Sequence, residues 1–337
     1  NNQNREYVLE KRFDFTSSQA REVVLEWANS IKKEVLTDKD FVLIDIVMPN
    51  EQDVLGMLYQ SLLEEGSKIK LGSYYTPLNI VENIAQDYCG ESFRGLDPSC
   101  GTGQFLKVFG KHVGESGQGW GFEIDPLAKR IAQINMVKDN LDAKIILQDA
   151  LERHITEPLL APPIEKDAYD LVATNPPWGY RFDKKQKRAL SKAYPEIRST
   201  ESFSYFLVRS LELVKQGGVV SFILPVSILN VKAHSDIRKL LLSNSEIIKI
   251  SHLGKPFTNV TTDVIRIDLK KQFPSVDHKI QIETPNNTFN IKQARFTKNK
   301  DNIFNIHVED YAQEILDHVF NRPYKTLQES AEWALGI

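Results

Sequence analysis

From about residue 77 the chain alternates short apolar runs with stretches of helical period, and that alternation limits the folds open to it. Strands are predicted at Ser92 to Asp97, Trp120 to Ile124, Lys144 to Leu147, Tyr169 to Thr174 and Gly218 to Leu224. Helices are predicted at Pro77 to Tyr88, Gln104 to Val113, Pro126 to Val137 and Phe203 to Val214, the third with Leu127, Ile131 and Ile134 on one face. Proline opens the first helix, where a missing N–H costs nothing. The Gly218 to Leu224 run is nearly unbroken apolar, as a strand covered on both faces requires. Strands separated by helices pair in parallel through crossovers, so the fold class is α/β with an open, mostly parallel sheet. Two late strands, Glu246 to Ser251 and Asp263 to Leu269, predict a terminal hairpin and bring the count to seven. Ligands of such sheets bind beyond the carboxyl ends of the strands, so the loops there are where chemistry is expected.

The flanks read differently. Leu55, Leu58, Tyr59, Leu62 and Leu63 form one stripe of a helix from Val54 to Gly66, and another helix is expected around Ala20 to Val35. Residues 1–70 are therefore a helical N-terminal segment, and residues 71–290 hold the main α/β domain. After 290 the alternation stops. Tyr311 to Phe320 reads as a helix followed by Pro323, residues 291–337 as a linker, and the end at Gly336-Ile337 as a cut inside a longer protein. With 41% hydrophobic and 26% charged residues, the 337-residue chain can build a real core. No apolar run reaches the roughly 18 residues of a membrane span. The polar start is not a signal peptide, and two cysteines make neither a disulfide framework nor a zinc set. A cytoplasmic setting without a membrane partner is expected. The seven histidines lack ligand spacing, so no metal is expected.

The first chemical site follows the strand ending at Leu96: Asp97-Pro98-Ser99-Cys100-Gly101-Thr102-Gly103-Gln104-Phe105. Gly101 and Gly103 let backbone approach a ligand where a Cβ would clash, and the helix that begins beyond them aims its amides at the same place. Glu123, twenty residues after Gly103, ends the next strand, where it can accept from both hydroxyls of a ribose. Asp149 ends the third strand and can accept from an adenine amine. A dinucleotide fingerprint needs a third glycine where Leu106 stands, and no phosphate-loop lysine follows the glycines. Asp97 would repel a pyrophosphate but suits the amino acid part of S-adenosylmethionine. Cys100 reads as a packed small residue of the loop rather than a nucleophile.

The second site is Asn175-Pro176-Pro177-Trp178, at the end of the fourth strand. Two prolines cannot continue a ladder and make the backbone stiff. The Asn175 side-chain carbonyl and the Pro176 main-chain carbonyl can then accept the two hydrogens of one planar amine, directing its lone pair at an incoming methyl group. Trp178 offers a ring face for stacking. The net charge is −3, so any nucleic-acid surface has to be local. Arg181 to Arg198 is such a segment, with seven basic residues against two acidic ones. It reads either as a phosphate-contacting surface or as a solvated helix face.

In this order the motifs resemble the amino-methylating DNA adenine methyltransferases of bacterial restriction–modification systems. Within them the chain is similar to the group whose cofactor motif precedes the glycine loop, here Leu71-Gly72-Ser73-Tyr74-Tyr75-Thr76-Pro77. The resemblance covers about residues 50 to 335. It implies a Rossmann-like S-adenosylmethionine-dependent methyltransferase sheet. Thr76 and Pro77 would touch the methionine part of the cofactor, Asp97, Gly101 and Gly103 its amino acid, Glu123 its ribose, and Ile124 and Asp149 its adenine. Asn175, Pro176, Pro177 and Trp178 would be catalytic, with Trp178 where the family usually has Tyr or Phe. Phe257 stands where the family often places a second aromatic against the extruded base; a core Phe is the other reading.

The implied partners are double-stranded DNA with a flipped adenine and a restriction or specificity subunit, and the linker would lead to a recognition domain outside this sequence. The implied reaction is site-specific N6 methylation of adenine as a modification activity. Two readings stay open beside it: the same chemistry on an RNA adenine or a protein glutamine amide, and a catalytically idle nucleic-acid-binding subunit that kept the fold. There is no Pro-Asp nuclease signature, so cleavage is not expected in this chain.

Overall fold

The computed structural model describes residues 76–113, 117–152, 166–257 and 260–320, with residue 56 and several positions between 322 and 332. Apart from Gly56, which is helical, the two helices expected before residue 70 lie outside the described residues, as does Leu71 to Tyr75. Helix α1 (Leu78–Tyr88) leads into β1 (Arg94–Asp97), α2 (Gln104–His112), β2 (Gln118–Glu123), α3 (Pro126–Lys138), β3 (Ala143–Leu147) and β4 (Tyr169–Thr174). Then come α4 (Lys184–Ala193), α5 (Ser202–Leu213), β5 (Val214–Pro225), α6 (Ser235–Asn244), β6 (Glu246–Gly254) and β7 (Val264–Lys270). They are followed by β8 (Lys279–Glu283), β9 (Thr288–Lys292), α7 (Ala294–Lys298) and α8 (Asp310–Phe320).

All nine strands join one sheet in the order β3-β2-β1-β4-β5-β7-β6-β8-β9. The block from β3 to β5 is parallel throughout. β7 runs antiparallel between β5 and β6, so the expected hairpin forms. It is not terminal, however. β8 pairs in parallel with the far side of β6, and β9 closes antiparallel on β8. Seven strands were expected and nine are present among the described residues; β8 is only five residues, Lys-Ile-Gln-Ile-Glu, with a single alternating pair of buried isoleucines. The chain steps outward from β1 to β3 and returns to β4 on the other side of β1. That reversal opens a crevice between the carboxyl ends of β1 and β4.

The helices behind this edge have local reasons to start where they do. Asp125 caps α3, accepting from the amides of Leu127 and Ala128, with Pro126 in the first turn. Asp183 and Gln186 form a reciprocal capping box on α4. α1 buries Ile80, Val81, Ile84 and Ala85. The inward face of α3 is not the expected Leu127 stripe. Ala128, Ile131, Ala132, Asn135 and Met136 face in, while Leu127 is exposed, because the small residues permit close approach to the glycine loop. The main core also continues past the expected boundary at 290: Phe296 stacks on Phe304 at 4.8 Å, and Ile306 is buried beside them. Residues 291–306 therefore belong to the domain rather than to a linker. Among the described residues no helix is long and apolar enough to cross a membrane.

One glycine in β2 sets how closely that strand meets the loop after β1. A Cβ at Gly121 would lie 2.7 Å from Leu106 Cδ1 and 2.8 Å from Cys100 Sγ. Cys100 is itself tied to β2, its amide donating to the Phe122 carbonyl at 2.9 Å. Gly121→Ala is expected to cost about 1–3 kcal/mol in urea denaturation, as overpacking does. By displacing the loop it should also weaken cofactor binding measured by calorimetry.

Candidate active site

The loops after β1 to β4 enclose a cavity of about 270 Å³. Four carboxylates are among its lining residues, Asp97, Glu123, Asp125 and Asp149, and among the described residues no Lys, Arg or His lines it. Asp97 ends β1 and is 1% exposed. It accepts from the Ser99 amide at 3.0 Å, and burial pushes its carboxyl up to about 7, against hydrogen bonds from Thr174 and Ser99 and in concert with nearby Glu123. Glu123 accepts from the amides of Gly101, Ile124 and Asp125, each at 2.8 Å. Burial raises its pKa, and those backbone bonds oppose the rise. Three of the roughly four acceptor positions of this carboxylate are thus occupied by backbone, so Glu123 ties the glycine loop to the end of β2 as well as facing a ligand. Asp149, also raised by burial, holds the turn after β3 by accepting from the Leu151 amide at 2.9 Å.

The two loop glycines do different things. Gly101 lines the cavity at φ +53°, with nothing within 4 Å of where a Cβ would be, so the backbone is open to a ligand there. Gly103 is not in the lining. It caps α2 at φ +91°, and its Cβ position is 3.1 Å from Met136 and 3.2 Å from Ala132 of α3. Its glycine serves a left-handed turn and close packing, which corrects the expectation that both glycines approach the ligand.

The residues of the Asn175 to Trp178 segment divide in the same way. Asn175 and Pro177 line the cavity. The Asn175 Nδ2 donates to Thr76 Oγ1 at 3.1 Å, and Ser202 Oγ donates to the Pro177 carbonyl. Ser99 Oγ and Thr174 Oγ1, 2.6 Å apart, bridge the crevice from the loop after β1 to the end of β4. Trp178 does not present a face to the cavity. Its indole N–H donates to the buried Ile223 carbonyl at 3.2 Å, and its ring meets Phe257 edge-on at 5.4 Å inside a cluster with Ile80, Phe105 and Leu171. Neither Trp178 nor Phe257 stands free for stacking in this arrangement, because the indole N–H needs a buried acceptor and β5 supplies it. Pro77 and Pro176 are likewise outside the lining, whereas Thr76 and Ile124 are in it.

The aromatic walls are instead Phe105, Phe122, Tyr180, Phe182 and Phe206. Sequence reasoning missed these, and it missed Gln148, which is 5% exposed with neither side-chain amide atom hydrogen-bonded. A polar residue at a strand end, directly before Asp149, was the signal available for Gln148. Phe206 gave none, since it is one of several large apolar residues in α5.

Over residues 50–334 the chain matches the family described as N-6 DNA methylase. It is 30% identical over 304 residues to the type II methyltransferase M.VspI of a Vibrio species, an alignment covering 87% of this chain and 71% of that protein. The chain belongs to the N-6 DNA methylase family. Membership brings S-adenosylmethionine as methyl source and agrees with the methyltransferase reading of the motifs. The methylase subunit of the Escherichia coli type I restriction enzyme EcoEI is 24% identical over 66% of this methylase, which spans only 48% of that subunit. Among solved structures, a type I restriction–modification methyltransferase subunit of Streptococcus thermophilus matches with TM-score 0.54 at 20% identity, over 85% of this chain and 61% of that one. A class I S-adenosylmethionine-dependent methyltransferase of Listeria monocytogenes matches with TM-score 0.55 at 17% identity, over 91% and 86%. These structures share the fold.

The methylase cavity fits this cofactor. A lining with four acids suits a ligand carrying an ammonium and a sulfonium and disfavours a pyrophosphate. The aromatic walls suit a purine, and the Gln148 amide, buried without partners, matches a ligand with polar edges. Asp97 gives the pH test. An acid held near 7 in the fold, against 3.8 for the free group, makes the folded state bind more protons than the unfolded state between those values. Stability without cofactor should therefore fall as pH rises from about 4 to about 7 and level off above. Cofactor affinity should rise over the upper part of that window, because the ionised carboxylate is what pairs with an ammonium. Asp97→Asn should flatten the pH dependence of the cofactor-free melting temperature and weaken cofactor binding by about tenfold or more, the scale of one charge-assisted hydrogen bond. Thermal melts and calorimetry from pH 5 to 8 check both.

Proposed function

We propose that this methylase carries out the modification step of a restriction–modification system, methylating N6 of an adenine swung out of a DNA duplex. The observation that carries the reading is that Asn175, held by Thr76, opens on the same cavity as the Asp97, Glu123 and Asp149 set. S-adenosylmethionine supplies an electrophilic methyl group when bound. The chain's own part is to orient and to exclude water. The lone pair of an adenine amine is delocalised into its ring. Accepting both amine hydrogens, at Asn175 Oδ1 and at the Pro176 carbonyl, draws the nitrogen toward a tetrahedral shape with its lone pair free. The stiff backbone of Pro176 and Pro177 keeps the two acceptors at a set spacing. Trp178 and Phe257 would serve the base only after separating from their mutual contact, a rearrangement that an incoming adenine would have to induce.

The duplex would lie against α4. Phe182, Gln186 and Leu190, four residues apart, face inward, and the first two line the cavity. Lys184, Lys185, Lys187, Arg188 and Lys192 are exposed on the other side. This puts cations beside the cavity wall, where phosphates flanking an extruded base would pass. The reading places the reaction in the cytoplasm. The type I relatives are subunits by name, so a separate specificity or restriction subunit is part of the proposal.

Two experiments test it. Asn175→Ala should lower single-turnover methylation by at least about 100-fold, the scale of losing one preorganised polar contact. Cofactor affinity in that variant should change little, and full retention of methylation would sink the role given to Asn175. The double reversal Lys187→Glu, Arg188→Glu should weaken duplex binding and reduce the slope of log affinity against log salt by about two, leaving cofactor binding unchanged. An unchanged salt slope would remove α4 from the DNA surface.

A further inference from the structure

We propose that Thr76 is a positioning residue for methyl transfer: its hydroxyl holds the Asn175 amide with the oxygen, and not the nitrogen, turned to the target amine. This rests on the methyltransferase reading of Asn175. With Pro176 and Pro177 locking the backbone that follows, the soft torsion left at Asn175 is the last one of its side chain, which is broad and nearly two-fold. The two ends of an amide have almost the same shape but opposite hydrogen-bonding character. In the wrong orientation an NH₂ would face an NH₂, losing one acceptor and opposing two donors. Something has to tell the ends apart, and it has to be an acceptor placed at the nitrogen.

Thr76 Oγ1 is that acceptor, 3.1 Å from Asn175 Nδ2. Thr76 is 4% exposed, which limits the water available to take the hydroxyl's place. Its own position is firmly set. It directly precedes Pro77, whose carbonyl accepts from the Ile80 amide at 3.1 Å to begin α1. α1 is anchored in turn by Val81, Ile84 and Ala85, each fully buried. On the opposite side, the residue before Asn175 is fixed by the 2.6 Å contact of Thr174 with Ser99. The bond between Thr76 and Asn175 thus spans two rigid frames that are 99 residues apart in sequence. The family resemblance implied a different task for Thr76, contact with the methionine part of the cofactor. The two tasks move different observables.

The experiment compares Thr76→Val, which keeps the shape and removes the acceptor, with Thr76→Ser, which keeps the acceptor. Cofactor affinity is measured by calorimetry. The rate is measured as single-turnover methylation of DNA at saturating cofactor, with melting temperatures to show that each variant folds. Thr76→Val should slow transfer by roughly 5- to 20-fold, the scale of one hydrogen bond. Its cofactor affinity should stay within about threefold, a change well below that of a lost polar contact. Thr76→Ser should restore most of the rate. Placed in an Asn175→Ala background, Thr76→Val should add no further loss, since it acts through the amide that is gone.

Weaker cofactor binding with an intact saturated rate would make Thr76 a cofactor contact and overturn the proposal. An unaffected Thr76→Val would overturn it too, as would a Ser variant as slow as Val, or an undiminished loss in the Asn175→Ala background. Should Thr76→Val fail to fold, the Ser variant and Thr76→Ala in both backgrounds decide the same question. A wild-type protein unable to methylate DNA would overturn the functional reading together with this one. An active wild type indifferent to Thr76→Val overturns the positioning role alone.

Discussion

Parallel strands cannot be joined by tight turns, so each one in this sheet needs a crossover, and every crossover leaves a loop at the carboxyl edge. The chain lays down β1, β2 and β3 in one direction and then must return to the other side of β1 for β4. At that reversal neighbouring loops diverge, and a crevice is left that packing does not fill. Everything the protein does is arranged around it. The glycine loop leaves β1 there, the Asn-Pro-Pro segment leaves β4 there, and a hydroxyl pair, Ser99 and Thr174, bridges the gap.

The crevice is destabilising by construction. Desolvation raises the pKa of Asp97, Glu123 and Asp149 together, and among the described residues no basic one lines the cavity to offset them. Burying these acids together carries a cost, partly offset at Glu123 by the three backbone amides it accepts from. A cationic cofactor relieves the same strain, so the electrostatics that weaken the free protein are those that select its ligand. The rest of the fold compensates with bulk. The main cluster runs from Leu96 in β1 to Ile306, well past the last strand, and holds α4, α5 and both late hairpins against one sheet.

Much of this was legible beforehand because it depends on local rules. The βα alternation, Pro and Asp at the start of α3, and Gly101 at a positive φ each follow from what a few consecutive residues can do. The boundaries of β4 were read to the residue. The short strands β8 and β9 near the sheet's edge were not, since a five-residue alternation acquires meaning only when a partner strand is beside it. The inward face of α3 also differs from the pattern, which favoured the larger Leu127: Ala128 and Ala132 face in, and Ala132 packs against Gly103.

The site divides along the same line. The sequence by itself determined the inventory: a turn that favours glycine, an acid at the end of each of three strands, and a stiff segment that ends a fourth. It determined these because backbone conformation and side-chain charge belong to single residues. Tertiary structure decided which of them share a cavity and which way they face. It put Trp178 and Phe257 in the core, since a buried indole N–H must find an acceptor and Ile223 offers one. It made Gly103 a packing residue, brought Phe182 and, from α4, Gln186 to the cavity wall, and placed Thr76 against Asn175. Contacts between residues far apart in the chain depend on how strands are ordered and helices docked, and no local pattern carries that information.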